Sequence, residues 1–341
     1  MIKIDPIGYE NFSVSHVTDE ECGLESVIAI SNNDKKSLVE IKFGAFTSKN
    51  QQVDITTKHA KAMDKKFRYA GLNYNSGVIT INTESYKDKL SAVNTFFEFI
   101  SNQYKDQIIL YTAQKLDYDF EYHLKQNCPQ LFNVDYDAYS KAQAKGVFYS
   151  LRALQQFLHS SKSIEHKHVV VRGLDNIGSE IAKIVDRNKA NLTVCDNNQE
   201  NVNDLYASAY FGTCTTNEAH KVPSDVYILC DGQDHLDKSV TMETKALNII
   251  GVADSQLASN KAGYNMHTKK ITYIPDYVAG AGGVVMIAKQ LEDNKKSLEK
   301  ELDKIFTRTL SLLNHSSKLR KPPFIVAEQQ MEEKQKKVKS Q

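Results

Sequence analysis

One stretch constrains this chain more than any other. Residues 167–173, KHVVVRG, form a short apolar run that ends in glycine. NIGSEIAKIVDRN follows and places Ile177, Ile181, Ile184 and Val185 on one helical stripe. A second apolar run, NLTVCD at 191–196, comes next. A strand, a tight turn, a helix and another strand of buried type describe parallel strands joined by a crossover helix. The pattern repeats in DVYILCDG (225–232), ALNIIGVAD (246–254) and ITYIPDYVAG (271–280). The second half is therefore expected to be a doubly wound parallel sheet of the Rossmann type. A long helix is expected over 283–314, then a last amphipathic segment with a frayed tail over 320–341.

The first half is mixed. FSVSHV (12–17), ESVIAIS (25–31), SLVEIKF (37–43), GVITIN (77–82) and QIILYTA (107–113) read as strands. Helical periodicity marks 55–70 and 88–104, the latter through Leu90, Val93, Phe96, Phe97 and Ile100. The polar run VDYDAYSKAQAK (134–145) breaks the pattern, and a helix follows over about 143–160. A chain of 341 residues suits two domains. The expected division is an N-terminal α/β substrate and oligomerisation domain over 1–138 and a dinucleotide-binding domain over 139–318. A C-terminal helix over 319–341 is expected to return to the first domain, with a cleft between the two domains.

Composition removes several function classes. Lys and Arg total 43 against 42 Asp and Glu, a formal net charge of +1, which is not the footprint of a nucleic-acid binder. No apolar run reaches the roughly 18 residues of a membrane helix. The five cysteines (Cys22, Cys128, Cys195, Cys214, Cys230) form no C-x-x-C pair, and the histidines show no H-x-x-x-H spacing, so no metal is expected. The N-terminus carries no secretory pattern, and a cytoplasmic location is expected.

The glycine turn is the first candidate site. Gly173 suits the tight turn, and Gly178 the close packing of helix on strand. With Asp175, Asn176 and Ile177 they make up the phosphate-facing loop. Asp196 ends the second strand, where an acid can hold a ribose hydroxyl. The middle glycine of the G-x-G-x-x-G pattern is replaced by Asp175. Two unit charges about 4 Å apart repel by about 1 kcal/mol in water and about 4 kcal/mol at an effective dielectric near 20. The attraction of a helix N-terminus for an anion is only about 0.3–2 kcal/mol. Two readings stay open: a nucleotide-binding scaffold whose phosphate seat is lost, or a coenzyme held with a displaced pyrophosphate.

These residues together resemble the leucine, phenylalanine and valine dehydrogenase branch of the glutamate dehydrogenase superfamily. The resemblance runs over about 9–335. It rests on GYENFSVSHVTDEECGLESVIAIS, MDKKFRYAGLNYNSGVITI, GLDNIGSEIAKIV, NLTVCDNNQENV, NIIGVADSQL, ITYIPDYVAGAGGVV and KPPFIVAEQQMEEK, in that order. It implies NAD-dependent oxidative deamination of an L-amino acid such as leucine, phenylalanine or valine to a 2-oxo acid and ammonia. It also implies a homo-oligomer.

Carried across residue by residue, the resemblance puts the substrate-carboxylate lysine at Lys66. The same residue also reads as one more solvated lysine on a helix that carries Lys58, Lys61 and Lys65. The catalytic lysine position holds Val78, and the catalytic aspartate position in YTAQKLDYD holds Lys115. Asp117, two residues on, is the one candidate substitute for that aspartate. Val39 and Glu40 stand at the paired glycines of the substrate wall, and Gln143 at a threonine beside the nicotinamide. Asp254 and Ser255 stand at two asparagines, and Gly280 at a third; Asp254 is retained as a coenzyme-side candidate.

Three functions follow. The first is an impaired dehydrogenase or pseudoenzyme that acts through a partner, including an active relative. The second is an oxidoreductase of altered chemistry or substrate that still binds a nicotinamide coenzyme. The third is an ordinary dehydrogenase whose catalytic positions lie elsewhere than this correspondence puts them.

Overall fold

The structure is a computed structural model that describes residues 1–32, 35–128, 131–292 and 297–339, with side chains through Lys334. It divides into two compact units. One comprises Met1–Phe67 and Gly71–Tyr136; the other comprises Arg68–Ala70 and Asp137–Gln341.

The first unit is a seven-stranded mixed sheet with helices. Its elements are β1 (Lys3–Ile7), β2 (Phe12–Asp19), β3 (Leu24–Ser31), β4 (Ser37–Gly44), α1 (Lys49–Ala70) and β5 (Asn75–Asn82). They continue with α2 (Lys89–Tyr104), β6 (Ile108–Tyr111), α3 (Tyr118–Asn127) and β7 (Leu131–Phe132). The strand order is β1-β2-β3-β5-β4-β6-β7. The β1-β2-β3-β5 pairs are antiparallel, and the β5-β4-β6-β7 pairs are parallel.

Alternation along the strands separates two faces. Val17, Ile28, Ile41, Ile79, Ile81 and Leu110 pack with Phe96, Phe97 and Ile100 of α2 in one apolar core. Thr80, on the opposite face, meets α1. Gln52 donates to the Thr80 carbonyl and to its Oγ1, both at 3.1 Å, and the Thr56 and Thr80 hydroxyls lie 2.6 Å apart. Helix α1 begins at Lys49, earlier than periodicity suggested, because Gln52 and Thr56 are buried polar residues that a hydrophobic stripe does not register.

The second unit carries α4 (Tyr136–His159, whose first residue falls in the first unit), β8 (His168–Arg172), α5 (Asn176–Arg187), β9 (Asn191–Cys195), α6 (Gln199–Leu205) and β10 (Gly212–Thr213). It continues with β11 (Val226–Leu229), α7 (Lys238–Glu243), β12 (Asn248–Gly251), α8 (Asn260–Thr268) and β13 (Thr272–Ile274). Helices α9 (Asp276–Ala279), α10 (Gly282–Leu291), α11 (Leu298–Leu319) and α12 (Pro323–Lys339) complete it. All six strands are parallel, in the order β10-β9-β8-β11-β12-β13. Renumbered within this unit the order is 3-2-1-4-5-6, the doubly wound arrangement of dinucleotide-binding domains. Both faces are covered: Val169 and Val171 enter one core, and Val170 enters another with Tyr227 and Leu229.

Three expectations change. The long helix over 283–314 is two helices, α10 and α11, and residues 293–296 between them lie outside the described residues. The strand over 271–280 stops at Ile274, because Pro275 supplies no amide and starts α9 instead. Val326, Ala327 and Met331 of α12 enter the core of the second unit, where the sequence had sent that helix back to the first. The expected frayed end at 340–341 lies outside the described residues.

In the first unit, Phe96 is fully buried and Asp88 caps α2 by accepting from the amides of Leu90 and Ser91 at 3.0 and 3.1 Å. Phe96→Ala is expected to destabilise this unit by about 3–5 kcal/mol. Asp88→Ala is expected to do so by about 1 kcal/mol. Hydrogen exchange at the β3 and β5 amides checks both without a contribution from the second unit.

Candidate functional site

The turn after β8 brings the sequence-predicted coenzyme residues together. Gly173 has φ +86°, and a Cβ there would lie 2.8 Å from the Cβ of Asp231. A Cβ on Gly178 would lie 1.9 Å from the Gly173 carbonyl oxygen, so α5 meets the strand end at a distance only glycine permits. The Gly173 amide donates to the Cys195 carbonyl at 2.9 Å, which ties the turn to β9.

The Leu174 and Gly178 amides of this turn are held by carboxylates of the chain itself. Asp175 is the N-cap of α5, and its Oδ1 accepts from the Gly178 amide at 2.9 Å, with the Ile177 amide close by. Asn176 is the first residue of α5. Asp196 accepts from the Leu174 amide through Oδ2 at 2.5 Å and from the Asn198 amide through Oδ1 at 2.7 Å. A helix N-terminus ordinarily offers such donors to a phosphate. Here two aspartates already hold them.

A third acid stands beside these two. Asp231 pairs with Arg172 at 2.9 Å, leaving three carboxylates against one guanidinium. Loss of hydration and the charges of Asp196 and Asp231 push the Asp175 carboxyl above its usual range, against the pull of the two amides. Asp231 is raised as well, by burial first and Asp196 after it, with Arg172 opposing. A pyrophosphate would bring further negative charge to a loop that already holds three acids and whose Leu174 and Gly178 amides are taken. As they stand, these residues do not fit the coenzyme's diphosphate.

The distal motifs do structural work. Gln256 is fully buried; it accepts from the Val252 amide at 3.0 Å and donates to the carbonyls of Leu229 at 3.0 Å and Asp231 at 2.9 Å. It thereby locks the ends of β11 and β12 together. Asp254 lies in the turn just before Gln256, and the next residue, Ser255 (φ 58°), donates its amide to Asp276 at 3.1 Å. Gln143 is buried in α4 and accepts from the Gly283 amide at 2.9 Å. A Cβ on Gly282 would lie 2.0 Å from the Ala142 carbonyl, so the A-G-A-G-G run serves the close crossing of α10 on α4.

In the first unit the structure places Lys66 among the buried residues. It is 3% exposed, so it is not one of the solvated lysines of α1. Val78 lies within β5 between Ala29 of β3 and Glu40 of β4 and is fully buried. A valine there offers no proton and no charge. Glu40 is buried in register with Val78 and Tyr111, with Lys42 at 3.8 Å.

Lys115 is exposed beyond β6. Asp117 is the N-cap of α3, accepting from the Phe120 amide at 2.9 Å, and Lys89 lies 3.5 Å away. Its carboxyl is held below the usual range, chiefly by that amide. Gln114 accepts from the Phe43 amide at 2.7 Å and donates to the Phe43 carbonyl at 3.1 Å, which extends the pairing of β4. Among the described residues no group of three or more His, Cys, Asp or Glu is placed to hold a metal, and no helix is long and apolar enough to cross a membrane.

Sequence reasoning did not find Asp231 with Arg172, Gln256 or Gln114. Their partners lie far along the chain, and only the two acids flanking the glycine turn carried a spacing signal.

The parallel sheet order, the glycine turn and the mixed first unit define the fold of an amino acid dehydrogenase. No family model matches the chain. It is 25% identical to the leucine dehydrogenase of Geobacillus stearothermophilus over 96% of this chain and 91% of that one. It is 24% identical to the phenylalanine dehydrogenase of Caldalkalibacillus thermarum over 84% and 81%. In structure it is similar to the L-tryptophan dehydrogenase of Nostoc punctiforme, with a TM-score of 0.76, 17% identity and 95% of both chains covered. It is also similar to the hetero-hexameric glutamate dehydrogenase of Thermus thermophilus, with a TM-score of 0.72, 13% identity and 96% and 85% coverage. The chain is thus similar in sequence to leucine and phenylalanine dehydrogenases over most of its length, and similar in fold to tryptophan and glutamate dehydrogenases.

The raised carboxyl of Asp175 has a consequence for stability. An acid whose pKa is higher folded than unfolded stabilises the fold at low pH, and that contribution is lost as pH rises through the folded value. Asp175→Asn keeps a capping acceptor and removes the charge. Thermal unfolding against pH is expected to show the variant gaining on the parent as pH rises from the ordinary carboxylate range, and melting higher at neutral pH.

Proposed function

We propose that this chain is a non-catalytic member of the amino acid dehydrogenase superfamily, one whose second unit takes up no nicotinamide coenzyme. The observation that carries this reading is the Asp175 carboxylate at the N-terminus of α5, where it accepts from the Gly178 amide. A coenzyme diphosphate would have to share that helix end with it. Val78 and Lys115 at the positions of the catalytic lysine and aspartate support it. The family reaction needs an ammonium to stabilise developing negative charge and a carboxylate to move protons. Buried Val78 and exposed Lys115 supply neither, and Asp117 is engaged as a helix cap.

The protein then acts by binding and assembly. Lys66, buried on α1, supports a retained preference for a carboxylate ligand, an amino acid or 2-oxo acid held without turnover. Assembly into a homo-oligomer, or with an active relative, is supported by the Thermus fold neighbour, a hetero-hexamer. A cytoplasmic location accords with this reading. Nothing in the charge balance favours a nucleic-acid partner.

Calorimetric titration with NADH and NAD tests the proposal, followed by an assay of amino-acid-dependent NADH formation with leucine, phenylalanine and valine. No binding at millimolar coenzyme and no turnover are expected. Asp175→Gly is expected to raise coenzyme affinity by tenfold or more, about 1.4 kcal/mol, in line with removal of one charge from the loop. Micromolar binding by the unaltered chain would overturn the proposal and favour an oxidoreductase of altered chemistry.

A further inference from the structure

Strand β10 pairs with β9 in parallel, with Gly212 opposite Thr193 and Thr213 opposite Val194. The next step of that register sets Cys214 opposite Cys195. The ladder continues to that step, since the Cys214 amide donates to the Val194 carbonyl at 3.2 Å. Residues two apart on a strand share a face. Leu192 and Val194 of β9 face one core, while Cys195 faces the other, and Cys214 packs against that same core. Each thiol is the largest influence on the ionisation of the other. Neighbouring strands lie about 4.8 Å apart, inside the Cα separation of about 4.4–6.8 Å that a disulfide spans. Cys195 is buried and Cys214 half-buried, so one sulfur of the pair is open to a small reagent.

We propose that Cys195 and Cys214 form a peroxide-sensitive dithiol that closes to a disulfide at the edge of the parallel sheet. The Cys214 thiolate attacks one oxygen of the peroxide. The O–O bond breaks, hydroxide leaves and takes up a proton as water, and the sulfur becomes a sulfenic acid. The Cys195 sulfur then displaces hydroxide from the Cys214 sulfur. The S–S bond forms, and the Cys195 proton leaves with that hydroxide as a second water. Two thiols lose two electrons and two protons, and the peroxide is reduced to two waters.

The proximity of the two thiols sets the order of attack. The neighbouring Cys195 favours ionisation at Cys214, while Cys214 and burial hold Cys195 protonated. The bond would reach the glycine turn directly. The Cys195 carbonyl holds the Gly173 amide, and the adjoining Asp196 holds the Leu174 amide. The remaining cysteines have no such partner: Cys230 faces the opposite core, and Cys22 and Cys128 lie in the first unit.

The test uses the reduced full chain, treated with hydrogen peroxide, blocked with N-ethylmaleimide and digested with trypsin. One tryptic peptide, Ala190–Lys221, carries both cysteines. Before oxidation it should take two maleimide groups. After oxidation it should take none and be two hydrogens lighter, and further cleavage after Tyr206 or Phe211 should leave its halves linked until a reductant is added. In Cys195→Ser the sulfenic acid has no partner, and Cys214 should advance to the sulfinic acid.

Three outcomes would overturn the proposal. Two maleimide groups could persist on the oxidised native chain. The link could form only after denaturation. The unaltered chain could show sulfinic acid at Cys214 in place of the link. The first measurement needs no variant, so a misfolded substitution cannot obscure it.

Discussion

The second unit is organised around one close approach, that of the Gly178 position to the Gly173 carbonyl at the start of α5. Everything near it follows from the lack of room. Only glycine fits at 178, and only a left-handed residue turns the chain at 173. The turn leaves its amides pointing outward from the helix end, and buried or half-buried amides require acceptors. In a coenzyme-binding domain the coenzyme can meet part of that need. Here Asp175 and Asp196 meet part of it, at the amides of Gly178 and Leu174. These bonds explain how the fold stands although its acids repel one another. Each carboxylate gains charge-assisted hydrogen bonds, and Arg172 offsets part of the remaining charge through Asp231.

The first unit shows a parallel exchange. Its sheet buries an apolar face under α2 and a face with polar residues under α1. Buried polar side chains are tolerated only when they are satisfied. The Gln52, Thr56 and Thr80 cluster satisfies its own members. On the same side of the sheet apolar Val78 lies in register with Glu40, which has Lys42 as its neighbour.

How much of this was legible follows from where each signal is carried. The parallel sheet could be read because β8, β9, β11 and β12 are short apolar runs closed by turns, and that information is local. The glycine turn could be read for the same reason. Asp196 was visible as an acid at a strand end, yet sequence could not show that both its oxygens are taken by amides. The extent of α1 was not legible, because its first turns bury Gln52 and Thr56 in place of hydrophobic residues. The strand expected through 280 ended at Pro275, since a buried short helix and a buried strand share the same apolar run. Lys66 was ambiguous among neighbouring lysines, and only three-dimensional burial separates it from them. Gln114, Gln143 and Gln256 were invisible as supports. A glutamine amide acquires a role only from the backbone groups it meets, and those lie far away in sequence.

Three glutamines hold the ends of elements in both units. Gln114 braces β4, Gln143 braces the start of α10, and Gln256 joins the ends of β11 and β12. Each satisfies backbone groups at the end of a strand or helix, and the strand ends joined by Gln256 are where doubly wound folds place their ligands. A bound ligand stabilises a protein because it binds the folded chain and not the unfolded one. A chain that gives up the ligand gives up that stabilisation and leaves strand-end amides and carbonyls to be satisfied by other means. Buried amide side chains do this with one donor and one acceptor group each and add no net charge. They favour a site that is filled from within over one that is only damaged, because a damaged site would leave those backbone groups without partners.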